Sequence, residues 1–351
     1  MLRHRQGQTV KTAFLLCAAL FATVAHTHAN DGFGGIGANG LEFAQNDKVA
    51  MKSEDLFISP KKIAVSYVFE NTSDEDVTGK VIFPLPPIAL QELKDRDSNL
   101  PKDPDRENLV NFTVEVDGQS ITPDIERRAV LVSFSARIGD PGGGEEVGGE
   151  DITALLKEVG VPLTLEPDRL IAALDALPPA KIQKLVSAKL LDVDNDLQGY
   201  DRYSFNWGIS IRYHWNQTFP AGAQVSIRHE YENHPPGGVW MWQHPVPDGE
   251  WQQEIARRYC IDDETSKALT RCQAAYQIDY ILRTANTWKG PIGKFKLTID
   301  KGDPRNILSL CADGVEKIGP TTFVIEKTDY TPPEDLSILI ATPGYIAIPG
   351  Y

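Results

Sequence analysis

Basic residues are in short supply in this sequence. Lys and Arg number 35 against 49 Asp and Glu, for a formal charge of −14. A chain with that average field repels a polyanion, and no run of Lys or Arg offsets it, so nucleic acid is excluded as a partner. Long apolar stretches are missing too. The longest, Thr12 to Val24, runs for about 13 residues, short of the ~20 that span a bilayer. No Gly-x-Ser-x-Gly elbow, protease-like cysteine context or metalloprotease helix signature is present, which removes the usual routes to an activated nucleophile. Only four cysteines occur among the 351 residues.

The start of the chain reads as an address. Arg3, Arg5 and Lys11 precede the apolar run, and Thr27 and Ala29 supply small residues at the cleavage-determining positions. A signal peptide over residues 1–29 is expected, with Asn30 the first mature residue. Its removal takes away three basic residues and no acidic ones, which moves the formal charge from −14 to −17. Cys17 follows Leu16 where a lipoprotein signal needs a small residue, so the expectation is general secretion and a soluble periplasmic or secreted life.

After cleavage Cys260, Cys272 and Cys311 remain. An oxidising compartment then implies one disulfide and one leftover thiol, with three pairings possible. Cys260 closes one helical stretch and Cys272 lies about two turns into the next, so an antiparallel helical hairpin would hold them beyond the ~7 Å limit for a bridge. Pairing of Cys260 with Cys311 is favoured.

Strand periodicity dominates. Ile63, Val65, Tyr67 and Phe69 alternate on one face, and Val81 to Phe83 return after the polar turn at 71–76, which reads as a hairpin. Phe112, Val114 and Val116 lead to Asp117-Gly118, a strong signal for a second hairpin. A third is read from Ile211 to Tyr231 around Pro220-Ala221-Gly222, with Tyr213, Trp215, Val225, Ile227, His229 and Tyr231 on the inner face and Arg212, His214 and Glu230 outside. Residues 151–192 change to helical period, punctuated by Pro162, Pro167 and Pro178-Pro179 into short helices that should cap a sheet. Helices are expected over 250–260 and 264–276, with further short strands to the end.

The fold class is therefore mainly β, all-β or α+β. Tandem or fused β-sandwich units are expected, with an N-terminal sandwich over 30–150, a helical insert over 151–200 and a C-terminal β-rich unit over 201–351 carrying a helical hairpin at about 250–276. The two halves need partners for their strand edges and could share one sheet system.

The stretches NDGFGGIGANGL (30–41), SEDLFISP (53–60), YVFENTSDEDVTGKVIFPLP (67–86), YHWNQTFPAG (213–222) and YILRTANTWKGPIGKFKLTIDKG (280–302) resemble the exported bacterial proteins called domain of unknown function 4424. The resemblance spans nearly all of the chain after residue 29 and implies an exported protein of Gram-negative type. It supplies no catalytic or binding residues. Its cysteines near Tyr259-Cys260-Ile261-Asp262 and Ser309-Leu310-Cys311 also imply the Cys260–Cys311 pairing. Tyr67 to Pro86 is also similar, over a short span, to the strand pair that precedes von Willebrand modules in inter-alpha-trypsin inhibitor heavy chains.

Candidate chemistry is sparse. Gly35-Ile36-Gly37-Ala38-Asn39-Gly40 spells a dinucleotide fingerprint, but Leu41-Glu42-Phe43 continues as a strand where a helix N-terminus is needed, so the glycines read as backbone permissiveness. Asp192, Asp194 and Asp196 alternate as calcium ligands do, yet Leu197 stands in place of the required Gly and Tyr203 in place of the bidentate Glu. The bland alternative is a solvated acidic linker. His214, His229, His234 and His244 are the histidines beyond the leader; opposite faces separate the first two, which argues against a shared metal. No cofactor is expected. Trp240, Trp242, His244 and Trp288 are the recognition candidates, since aromatics in Pro- and Gly-rich loops serve glycan or protein surfaces, with packing between sandwiches as the alternative. The functional expectation is a non-catalytic periplasmic binding or assembly protein that engages an envelope protein or glycan. The alternatives are a hydrolase of envelope polysaccharide or peptide using carboxylates near His229 to Glu250, and a calcium-dependent structural protein.

Overall fold

The structure, a computed structural model, describes residues 30–37, 40–95, 99–132, 149–247 and 250–343. The leader, Ala38, Asn39 and the Gly-rich connector at 139–148 lie outside the described residues. The elements in chain order begin with β1 (Gly32–Gly37), β2 (Gly40–Phe43), β3 (Val49–Ile58), β4 (Lys62–Asn71), β5 (Val77–Pro84), β6 (Ile88–Ala89) and α1 (Leu90–Asp95). There follow β7 (Thr113–Val116), β8 (Gln119–Ile121) and β9 (Asp124–Leu131), then α2 (Thr153–Val159), α3 (Pro167–Asp175) and α4 (Pro179–Ser187). The remainder comprises β10 (Leu191–Val193), β11 (Tyr203–Phe205), β12 (Trp207–Phe219), β13 (Gln224–Glu232), β14 (Gly237–Val239), α5 (Glu250–Arg258), α6 (Asp263–Leu269), β15 (Ala274–Tyr280), β16 (Ile292–Asp300), β17 (Ile307–Leu310), β18 (Glu316–Lys317), β19 (Thr322–Tyr330) and β20 (Leu336–Thr342). The protein is mainly β.

Two large sheets contribute to one core. One has the order β2-β1-β5-β12-β6, with β9 on the other edge of β12; the second runs β18-β19-β16-β3-β4-β13-β7-β8. Inner-face residues of both sheets meet in a single cluster, where Phe83 and Tyr213 from the first pack on Phe112, His229 and Tyr231 from the second. A third sheet, β14-β15-β20-β17, carries α5 and α6 over a smaller core of Trp240, Trp242, Tyr259, Leu269 and Leu339. Cys260 and Cys311 are joined across this layer at a Cα separation of 5.0 Å, and Cys272 is free and buried.

The pairing departs from the sequence reading in three places. First, β4 and β5 are not a hairpin: β4 pairs with β3 and β13, and β5 with β1 and β12. Second, β12 and β13 do not pair, because the chain crosses from one sheet to the other at Pro220-Ala221-Gly222. The inner faces were read correctly, since Tyr213, Trp215, Val225, Ile227, His229 and Tyr231 are all buried. Arg212 is buried on the other face, ion-paired with Glu126 at 2.5 Å. Third, the second helix ends at Leu269 and residues 274–280 form β15, drawn into the sheet between β14 and β20. The Asp117-Gly118 hairpin forms as read, with positive φ at both residues and β7 paired to β8.

Strands from before residue 150 and after residue 200 alternate within both large sheets. Strand β16 even lies parallel to β3. The boundaries near 150 and 200 thus mark the insert and not an edge between sandwiches. In the insert, Leu156, Val159, Leu170, Leu174 and Leu185 join the main core. Asp105 pins it, accepting from Thr164 Oγ1 at 2.6 Å and from Leu165 N at 2.8 Å while pairing with Arg127 and Arg169.

Candidate functional site

The chain after β5 cannot continue as a strand, because Pro84, Pro86 and Pro87 remove backbone donors. It turns along the edge of β12 and reaches α1, whose Leu93 faces the loop at Asn233–Pro236 beyond β13. Between them is a cavity of about 150 Å³ lined by Leu85, Ile88, Leu93, Leu109, Tyr231 and Ile278, with polar atoms at its rim. That volume is about what one benzene-sized ring occupies.

The rim charges are already engaged. Asp279 pairs with Arg258 at 2.8 Å and accepts from Ser337 Oγ at 2.9 Å, and the carboxylate raises the pKa of the guanidinium further. Glu232 accepts from Asn111 at 2.8 Å and from Arg106 at 3.1 Å, and these bonds hold its pKa below the usual value. His234 lies 3.4 Å from the same carboxylate. The lining presents apolar surface, so the site is suited to taking up a small apolar group.

A second concentration of chemistry lies beneath residues 30 and 31, both fully buried. Asp31 Oδ2 is 2.8 Å from His229 Nε2, and the Asp31 carbonyl accepts from Trp288 Nε1 at 2.6 Å. Asn30 Nδ2 donates to Glu54 Oε2 at 3.0 Å, while its Oδ1 accepts from the Asp31 N–H and from the Tyr67 hydroxyl, itself 3.4 Å from that of Tyr280. Aromatic rings of Tyr67, Phe83, Phe112 and Trp215 enclose His229 with centroids at 5.1 to 5.6 Å. Burial pushes Glu54 up to about 8 against the bond from Asn30, with the Asp31 charge adding to the rise. Burial also raises Asp31, opposed by His229. Asp31 Oδ1 and Glu54 Oε1 have no hydrogen-bond partner among the described residues.

Glu54 owes its inward position to a β-bulge. Met51 points inward at an odd position, the register shifts between Met51 and Ser53, and Glu54, Leu56 and Ile58 then point inward at even ones. A carboxylate in phase with Leu56 and Ile58 was the available signal, and sequence reasoning passed over it.

Three of the four recognition candidates lie together and the fourth, Trp288, lies apart. Trp240 and Trp242 stack at 5.6 Å and are buried at 9% and 6% exposure beside α6, where Trp242 Nε1 and His244 Nδ1 both contact Ser266 Oγ, at 3.0 and 3.1 Å. Trp288 lies in the main core against Phe33, Phe69 and Phe219. These tryptophans pack, and the large apolar side chains that their segment presents to solvent are Val239 and Met241. Asp192 sits in β10 opposite Ser204, and Asp194 Oδ1 accepts from the Asp196 N–H at 2.9 Å, a local turn. No group of three or more metal-ligating side chains occurs among the described residues. His229 is fully buried, and Glu230 and Glu232 pair with Lys62 at 3.2 Å and with Arg106 at 3.1 Å.

A family model described as domain of unknown function (DUF4424) matches residues 29–339, and the chain belongs to that family. No curated protein matches. Among solved structures, the chain is similar to a provisionally assigned nutrient binding protein from Legionella pneumophila, at 14% identity and a TM-score of 0.40, over 89% of this chain and 71% of that one. No described helix is long and apolar enough to cross a membrane.

Proposed function

We propose that this is a non-catalytic binding protein of the bacterial envelope, exported by a signal peptide cleaved after Ala29, whose ligand inserts a ring-sized or short-alkyl apolar group between Ile88, Leu93 and Tyr231. The observation that carries the reading is the cavity itself: concave, apolar, and ringed by charges that are already neutralised. Such a site gains affinity by removing apolar surface from water, at about 25 cal/mol per Å², without leaving a buried charge unpaired. The bridged Cys260–Cys311 pair suits an oxidising compartment. The test is fluorescence of N-phenyl-1-naphthylamine with the purified protein. Saturable enhancement, lost in Leu93→Arg at unchanged stability, supports the site; equal enhancement in both proteins refutes it.

A second reading has one observation in its favour. Val239, the last residue of the edge strand β14, and Met241 just beyond it are 65% and 76% exposed, which suits docking of another envelope protein. Crosslinking in intact cells that captures one dominant partner, lost in Met241→Asp, supports this reading.

A further inference from the structure

The Asn30–Asp31 cluster holds more acceptor capacity than the described residues fill. Asn30 is fully buried and its Nδ2 donates to Glu54 Oε2 at 3.0 Å, so the residue's own backbone nitrogen is no more than an asparagine side chain's length from that bond, and Asp31 is the next residue in the chain. Glu54 Oε1 and Asp31 Oδ1 are buried without a donor among the described residues. An acceptor left unpaired in that position costs about 1–3 kcal/mol, more when charged. His229 Nε2 contacts one carboxylate, Asp31, at 2.8 Å, whereas no Lys, Arg or His among the described residues is ion-paired with Glu54.

We propose that Glu54, with Asp31, is the receptor for the α-ammonium that export creates at Asn30, so that signal-peptide cleavage completes the core. The proposal rests on the export reading above. In the cleavage step a signal peptidase hydrolyses the Ala29–Asn30 bond. The C–N bond breaks, the hydroxyl of water joins the Ala29 carbonyl carbon to give a carboxyl group, and the hydrogen of water joins the Asn30 nitrogen. That new amine takes one further proton, which Glu54 carries while the nitrogen is an amide. The product is an ammonium–carboxylate pair where there had been a neutral acid beside a neutral amide. Before cleavage the nitrogen offers one N–H; afterwards it offers three, enough in number to serve both orphaned oxygens. Tyr67 and Tyr280 contribute hydroxyls to the same pocket, which suits a compact ammonium that needs several acceptors.

The protein is collected from the periplasmic fraction of cells expressing the full chain, and its N-terminus is read by mass spectrometry. The amine is then labelled at pH 7 with an acetylating ester, folded and in urea. A chain beginning at Asn30 whose amine labels at least tenfold more slowly when folded, with Glu54→Gln restoring the rate, supports the proposal. The second measurement is a cycle against a chain with one alanine inserted before Asn30. Glu54→Gln lowers the urea midpoint of the processed chain but not that of the extended one. A chain that stays unprocessed or begins elsewhere refutes export by this cleavage, and the proposal with it. One that begins at Asn30 but labels at the unfolded rate, or shows equal Glu54→Gln effects in both chains, overturns the proposal alone and leaves export standing.

Discussion

Consider a chain whose Asn30 nitrogen remains an amide because one residue precedes it. Glu54 is then a buried acid with no cation, and burial carries it from its ordinary 4.5 up to about 8. Between those pH values the folded chain binds a proton that the unfolded chain does not. Stability therefore falls as pH rises, at about 1.4 kcal/mol per unit, and the loss is complete above the folded value. Across the whole window the contribution is on the order of 5 kcal/mol. Glu54→Gln carries no titratable proton and keeps the shape, so its curve lacks that slope. Asp31 is raised as well and is present in both chains, so the difference between them reports the proton on Glu54 together with its repulsion by Asp31. Urea denaturation of the two extended chains at intervals from pH 4.5 to 8.5 measures this directly, with the variant's advantage growing as pH rises and the curves parallel below 4.5. Parallel curves across the full range would refute the reasoning, because they would mean that Glu54 is already ionised or already solvated at neutral pH.

Reducing Cys260–Cys311 removes a constraint across a separation of 51 residues, worth about 4 kcal/mol by loop-closure entropy; urea midpoints with and without reductant check this, and Cys272 should react with a thiol reagent only on unfolding. Trp288→Phe deletes the donor to the Asp31 carbonyl and leaves a void among Phe33, Phe69 and Phe219, for a loss of about 2–4 kcal/mol in the same assay. Gly208→Ala places a Cβ 2.6 Å from the Ile88 carbonyl oxygen, so β6 must move off β12. Overpacking of that kind costs about 1–3 kcal/mol, and the displaced Ile88 wall should weaken naphthylamine binding, seen as a raised Kd at unchanged stoichiometry.

The strands were legible in the sequence, their partners much less so. Period-two alternation reports which face of a strand is buried, and Tyr213, Trp215, Ile227 and His229 all face the core as their spacing requires. The same alternation is produced by a hairpin and by an arch that carries the chain from one sheet to the other, so Pro220-Ala221-Gly222 and the turn at 71–76 looked like hairpin loops. Only Asp117-Gly118 imposed φ values that select a tight hairpin turn. Ala274 to Tyr276 carries no local strand signal, and its conformation is decided by hydrogen bonding to β14 and β20. The cavity was not legible at all, since its walls come from α1, the end of β13 and β15, and α1 lies more than a hundred residues from the other two. The buried cluster was partly legible: His229 was placed on the inner face, but Asn30 and Asp31 read as the loose end left by a cleavage.

That loose end is a tie between distant parts of the fold. Asn30 reaches Glu54 in β3, 24 residues away, whereas Asp31 reaches His229 in β13 at a separation of 198 and Trp288 at 257. Strand β3 also needs β16 as its parallel neighbour, which cannot be present until about residue 300 has been made. Contacts of such separation form late, because loop-closure entropy is spent before they contribute. A chain of this topology leaves one edge of β3, the edge that β16 covers, unpaired until nearly all of it is available. Under the export and cleavage proposed above, that order of events suits translocation as an unfolded chain, with folding after the leader is removed and the Asn30 nitrogen entering the core as an ammonium. On the same proposal folding and processing are coupled at one residue: an uncleaved chain would lack the cation offered to Glu54 and would have a less stable core than the processed protein at neutral pH.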